Sequence, residues 1–367
     1  LKFKIYTKNF IKLLLNSEYY YAFYSEKKNY QSYYLSLINE LLKKENSIVY
    51  LSSDINDYID NEKIVNLYIG NGFLRYFTFA ILKAKYFFMT TTDLNKNGLF
   101  KNKNIQNYVY VFHCINSISM VYTETAFDNY DIICCIGDYH INEFKNIKDK
   151  KTFESKVYLK TGYFYFDYIN ENMNNQKIEN NSNNRVLVAP SWNYSSKNLL
   201  ELYGTELIEE LLSKNYYTIF RPHQEHFKRN KHTLDLIKKK FTHHKNFIFD
   251  DAPFNFNSLS TCSYLITDYS GIAHEFFFLM KKPVLYFKEL SKIHNIKFDI
   301  LNGDTIEEQI FERFGYPLFK ENLGTIEVSI KKSAELFNDK KILIENFANK
   351  NFYNFKNSAK LSHNSFN

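Results

Sequence analysis

Four cysteines in 367 residues are too few to hold this chain together. Cys114, Cys134, Cys135 and Cys262 have no metal-ligand spacing, and adjacent Cys134 and Cys135 do not readily pair with each other. They read as reduced, buried thiols of a cytosolic protein. No apolar run approaches the roughly eighteen residues that a membrane-spanning helix needs. The N-terminus lacks a signal-peptide pattern; it opens on Leu1 rather than Met, so a few residues are expected to precede it. His243-His244 and Asp250-Asp251 are close in sequence, but neither pair has i, i+4 spacing or a second ligand set. No metal and no other cofactor is therefore expected. Internal repeats are absent, and tryptophan occurs once, at Trp192.

What is present points to a globular protein of two domains. Hydrophobic residues make up 45% of the chain and the mean hydropathy is −0.42. Phe (35) and Tyr (31) are unusually abundant, as are Lys, Asn and Ile. All five have AT-rich codons, so base composition explains them and a base-stacking role is discounted. The formal charge of +7 is mildly basic. The clusters Lys238–Lys240 and Lys331-Lys332 read as solvated faces, or as weak attraction to an anionic membrane surface or a polyanionic product. No nucleic-acid-binding motif accompanies them, so nucleic acid is not an expected partner. Residues Phe73 to Met89 read as a partly buried helix and a following strand, with an interfacial helix as the alternative. A cytoplasmic protein is expected, with peripheral attachment to the inner face of the cell membrane as an extension of that view.

Strand and helix patterns alternate along both halves, which argues for parallel α/β sheets. In the first half, Ser32 to Lys44 reads as a helix. Strands are expected at 47–51, 64–69, 86–89, 108–112, 132–136 and 156–160. The polar, Asn-dominated run of residues 171–184 reads as a linker. A second unit follows, with strands at 186–189, 216–220, 246–249, 264–267 and 284–286. Its helices are expected at 199–213, 232–240 and 272–282, and the stretch from Thr325 to Lys350 is helical in pattern. The expected organisation is an acceptor-side lobe over 1–170, the linker, a nucleotide-binding lobe over 185–330 and a helical tail over 331–367.

Two segments of the second unit carry chemistry. Thr218 to Phe220 forms an apolar strand that runs into Arg221-Pro222-His223. Pro222 keeps Arg221 extended, so Arg221 and His223 project to the same side. A guanidinium fork beside an imidazole suits a diphosphate. Leu265 to Thr267 runs into Asp268-Tyr269-Ser270-Gly271 and then a helix. Ser270 is placed as its N-cap, and Pro283 ends it. The first amides of that helix suit a phosphate, and Gly271 has no side chain to hold a ligand away. Both segments end at the carboxyl edge of a parallel sheet, where ligands bind.

These residues also carry a family resemblance. Val186 to Trp192, Arg221-Pro222-His223, Ile266 to Gly271 and Lys281 to Val284 resemble, in order and spacing, the CDP-glycerol glycerophosphotransferase family of teichoic acid and capsule synthesis. The resemblance covers about residues 185–290. Gln224, Gly271 and Cys114 depart from the family's usual Pro, Ser and Gly. It implies an α/β fold of two Rossmann-like lobes with a cleft between them (GT-B architecture), with the C-terminal helices packing back. It also implies metal-independent transfer of an alcohol phosphate from a CDP-activated donor to a hydroxyl of a growing polymer. The implied partners are a nucleotide-activated donor (a CDP-alcohol or a nucleotide sugar) and a polymer or lipid-linked acceptor.

Under that chemistry Arg221, His223, Ser270 and the Gly271 amide contact the diphosphate, with Tyr269 in the same turn. His113 is the candidate general base, since imidazole titrates near neutrality; the alternative is a core histidine. Asp268 orients His223 or binds donor hydroxyls, or else is a loop carboxylate bonded to neighbouring amides. Ser191 and Trp192 follow the first strand of the second lobe, where Trp192 floors a sugar or base or plugs the core. Glu275 accepts from a donor hydroxyl or lies on the helix surface; His274 is structural. Three rivals use the same pocket: a GT-B glycosyltransferase, a non-hydrolysing sugar-nucleotide epimerase, and a non-catalytic nucleotide-binding scaffold.

Overall fold

A computed structural model describes residues 11, 13, 18–44, 47–96, 99–175, 184–193, 198–252, 256–290, 293, 295 and 305–366. The chain forms two compact units. One comprises Leu1–Cys114, Thr123–Tyr168 and Asn351–Asn367; the other comprises Ile115–Tyr122 and Ile169–Lys350. The stretch 331–367 is thus divided between them. Of the expected linker, residues 176–183 lie outside the described residues, and a helix over Phe164–Asn175 occupies its start.

The first unit is built on seven parallel strands: β1 (Tyr19–Ser25), β2 (Ile48–Ser52), β3 (Ile64–Tyr68), β4 (Ala84–Met89), β5 (Ile105–Val111), β6 (Ile132–Cys135) and β7 (Val157–Lys160). Their order is β3-β2-β1-β4-β5-β6-β7. Central β1, Tyr-Tyr-Tyr-Ala-Phe-Tyr-Ser, has no counterpart among the expected strands. Tyrosine carries a polar tip, so the segment lacks the aliphatic signature that marks β2. Burial of its rings works because the hydroxyls find partners. Tyr21 donates to the Phe366 carbonyl at 2.9 Å, and Tyr24 bonds the Ser53 hydroxyl at 2.9 Å. Phe23 stacks on Phe88 with centroids 4.5 Å apart. The aromatics of β1 are therefore core material. The expected helix over 32–44 is a short α-helix, Leu35–Leu41, flanked by two 3-10 turns.

The second unit repeats the plan with β8 (Arg185–Ala189), β9 (Tyr217–Phe220), β10 (Phe247–Phe249), β11 (Tyr264–Thr267), β12 (Val284–Phe287) and β13 (Tyr316–Leu318). The order is β10-β9-β8-β11-β12-β13, all parallel. This is the doubly wound order, with its reversal between β8 and β11. The expectation of two Rossmann-like α/β sheets is met. Strand β13 and the helix Ile306–Phe314 before it were not among the expected elements. A two-residue Tyr-Pro start makes β13 a poor strand by pattern, and Pro is tolerated there because it pairs only with β12.

The helix after β11 is shorter than the pattern implied. It runs as α-helix over Ile272–Glu275 and widens into a π-turn over Phe276–Met280. Lys281 then adopts a left-handed conformation (φ 52°) that ends it two residues before Pro283. The long helix Ile326–Asn351 closes the second unit.

Two glycines admit the C-terminal segment to the first unit. Gly162 sits at φ +83°, and a Cβ there would lie 2.0 Å from the Tyr353 carbonyl oxygen; at Gly137 it would lie 2.1 Å from that of Asn351. Neither contact leaves room for a side chain, and Gly162 is also in the left-handed region. Gly162→Ala is expected to destabilise the protein by about 3 kcal/mol. Thermal unfolding combined with limited proteolysis checks this: the tail beyond Asn351 should be cut faster in the variant than in the parent.

Candidate functional site

The reversal in strand order leaves the carboxyl end of β8 flanked by those of β9 and β11, and three chain segments are tied together there. The Thr267 hydroxyl donates to the Ala189 carbonyl at 2.6 Å. The Ser191 amide donates to the buried Asp268 carboxylate at 2.9 Å. On the other flank, the Arg221 amide donates to Val188 O (2.9 Å) and the His223 amide to Pro190 O (3.1 Å). Asp268 is thus a loop carboxylate that fixes the turn after β8.

Sequence reading missed the groups that hold this turn from behind. His226 is fully buried; its Nε2 lies 2.8 Å from the Ser191 carbonyl, and its Nδ1 lies 2.8 Å from Asn230 Oδ1. Asn230 in turn donates to Glu201 at 2.8 Å. The i, i+4 spacing of His226 and Asn230 was the available signal.

Around this frame the structure places each candidate residue. Ser191 is buried and works through its backbone. Trp192 is half-buried and is not a core plug: the Arg229 guanidinium lies 5.1 Å over its ring, and the His223 ring lies 6.0 Å away. His223 is exposed, and its Nδ1 accepts from the Glu225 amide at 3.2 Å. Tyr269 turns inward, 4.9 Å from Phe311 and 5.5 Å from Tyr286, and burial raises its pKa. That is a packing position. The helix cap falls on Gly271 without a side-chain cap bond, one residue later than Ser270. Nothing lies within 4 Å of where a Gly271 side chain would start, so the turn is open.

Glu275 is not a helix-surface residue. It is buried, and its Oε2 has no hydrogen-bond partner among the described residues. Burial pushes its pKa up to about 8, opposed by the positive charge of Arg221. The positive charge of Arg221, at the end of β9, thus acts on Glu275, one turn into the helix after β11. Neighbouring His274 is also buried with both ring nitrogens unpartnered among the described residues, and burial lowers its pKa to about 3. It is a neutral imidazole packed near Phe278 and Phe311.

His113 belongs to the first unit. It follows β5, half-buried, with the Tyr30 ring edge-on at 5.6 Å and Tyr33 at 6.1 Å. Among the described residues no group of three or more His, Cys, Asp or Glu side chains is arranged to hold a metal. Cys134, Cys135 and Cys262 are buried, and Cys114 is half-buried; all four are free thiols.

No family model matches the chain, and a search of curated proteins finds no match. Solved structures do share its fold. The UDP co-structure of MnaA from S. aureus superposes with TM-score 0.62 at 10% identity, over 95% of this chain and 96% of that one. UDP-GlcNAc 2-epimerase from Neisseria meningitidis, bound to UDP-GlcNAc, gives 0.58 at 12% identity, over 95% and 99%. The Methanocaldococcus jannaschii UDP-GlcNAc 2-epimerase in complex with UDP-GlcNAc and UDP gives 0.58 at 12% identity, over 95% and 99%. At such identities the likeness establishes the fold.

These findings correct the family resemblance. With no family match and with epimerases as the fold's neighbours, the CDP-glycerol glycerophosphotransferase assignment is withdrawn. CDP-alcohol phosphotransfer, the transferase class and a role in teichoic acid or capsule synthesis go with it. The glycosyltransferase alternative shares a ligand class with these neighbours but not their reaction. The physical reason lies in what the motifs encode. Short strand ends rich in Arg, His, Ser and Gly mark an anion-receiving sheet edge, and that edge does not specify which bond of a nucleotide donor is broken.

Glu275 makes stability depend on pH. Its folded pKa lies above the ordinary 4.5, so the folded state holds the proton more tightly than the unfolded chain. The favourable neutral form is fully present below about pH 4.5, and its contribution is lost as pH rises towards 8. Glu275→Gln should therefore flatten the fall in Tm between pH 5 and pH 8.5, by about 5 °C or more. Thermal scans across that range in both proteins test it, and parallel curves would refute it.

Proposed function

We propose that this chain binds a uridine diphosphate sugar at the joined ends of β8, β9 and β11 and isomerises it at C2. One observation carries the binding half: Arg221 after β9, and the open Gly271 turn and the buried Glu275 carboxyl after β11, stand at the strand ends that flank the reversal of a doubly wound sheet. The nucleotide and the reaction come by analogy of fold from the UDP-GlcNAc 2-epimerases.

Each residue has a task in this reading. The Arg221 guanidinium neutralises the diphosphate, and the amides at the Gly271 turn donate to its oxygens. Ser270 lines the same turn. Glu275, holding its proton at neutral pH, offers a hydrogen-bonding carboxyl to a hydroxyl of the nucleotide sugar. Asp268 and His226 keep the Ser191-Trp192 turn in place, and the Trp192 face takes a sugar or base. Inversion at C2 breaks a C–H bond and remakes it on the opposite face, so a proton must leave and another return. His223 is the candidate proton carrier, because imidazole both accepts and donates near neutral pH.

Incubation with UDP-GlcNAc in D2O tests the reading. The expected result is deuterium at C2 of the sugar together with the C2 epimer, both seen by NMR. Arg221→Ala should weaken UDP binding about 10- to 100-fold by calorimetry. UDP binding without deuterium uptake would retain the nucleotide site and sink the isomerase; no UDP binding would sink both.

A further inference from the structure

The helix Phe73–Ile81 of the first unit exposes an apolar face. Phe73 is 81% exposed, Leu74 40%, Tyr76 39% and Phe77 40%, and Phe100 on a neighbouring loop is 63% exposed. Positions 73, 74, 76, 77 and 80 share one side of an α-helix, and all five are exposed. The opposite side, Thr78 and Phe79, is buried. The face is held as one surface: Phe73 and Phe77 stack at 6.2 Å, and Tyr76 meets Phe100 at 6.2 Å. Asn102 fastens the Phe100 loop to the helix end by donating to the carbonyls of Phe79, Ala80 and Leu82. So much contiguous exposed aromatic surface marks an interaction site.

Charge decides the partner. Residues 63–92 contain Lys63, Arg75, Lys83 and Lys85 and no Asp or Glu. Lys83 lies just past the Leu82 cap of the helix, and Lys103 follows the Asn102 clasp; both are exposed. Neither forms an ion pair with a carboxylate among the described residues. A second copy of this chain packed on the same face by two-fold symmetry would set these cations against their own images. An anionic surface meets all of them favourably. No helix among the described residues is long and apolar enough to cross a membrane, so a surface-lying mode is the relevant one.

We propose that this face, Phe73, Leu74, Tyr76, Phe77 and Phe100 with Lys83 and Lys103 at its margin, binds the surface of an anionic lipid bilayer. The rings enter the interface between headgroups and acyl chains, and the lysines engage the headgroup charge. This surface lies in the first unit and does not depend on the nucleotide reading.

Co-sedimentation of the full chain with vesicles provides the test. Vesicles of phosphatidylcholine containing phosphatidylglycerol should bind about tenfold more protein than phosphatidylcholine alone, and added salt should remove most of the difference. Phe73→Ser with Phe100→Ser should lower binding to both lipids about tenfold while leaving Tm unchanged, since both rings are exposed. Lys83→Glu with Lys103→Glu keeps the rings and should lower binding to the anionic vesicles alone. Equal binding by parent and both variants overturns the proposal. So does a failure to bind anionic vesicles, including the case where the parent sediments as a dimer that Phe73→Ser dissociates.

Discussion

The bond from the Ser191 amide to the Asp268 carboxylate ties the loops on the two sides of the reversal in the second sheet. In a doubly wound sheet the connections on either side of the reversal leave in opposite directions, which opens a crevice at the strand ends. The crevice keeps its shape only if the loops that flank it are fixed to each other. Here Asp268 fixes the turn after β8 from the β11 side, and His226 fixes the same turn from the β9 side. Both ties use backbone groups of one residue, Ser191. The positions of Trp192, Arg221 and Gly271 are defined relative to that frame.

The burial of Glu275 follows from the same arrangement. A carboxyl one turn into a helix behind a sheet edge loses water on most sides, and ionisation becomes costly. Arg221 offsets that cost without cancelling it, so the group stays a proton-bearing carboxyl at neutral pH. Polar residues with spare hydrogen-bonding capacity in such a place are poor choices for stability alone. Among the described residues, one Glu275 oxygen and both His274 nitrogens have no hydrogen-bond partner.

Much of the fold was legible because aliphatic strands buried on both faces leave an unmistakable pattern. Val186–Ala189, Tyr264–Thr267 and Val284–Tyr286 were read nearly to the residue. Strand β1 was not, because a tyrosine-rich run hides burial behind hydroxyls whose partners, Phe366 and Ser53, are distant in the chain. Strand β13 was hidden by its short length and its proline. At the site, the Arg221 and Gly271 segments were legible through turn chemistry. His226, Asn230 and Glu201 were not, since a hydrogen-bond chain leaves little periodic trace. The reaction class was misjudged for a related reason: strand-end motifs report an anion-receiving edge that many chemistries share.

Local pattern by itself determined that this is a parallel α/β protein and which polar turns follow its strands, because period and turn residues are short-range properties. Tertiary structure alone decided that Glu275 is buried within reach of the Arg221 charge, that Tyr269 packs inward, and that the 73–81 helix leaves its aromatic side exposed. Each of those depends on which segments become neighbours across the sheet, and neighbours distant in sequence set burial and charge.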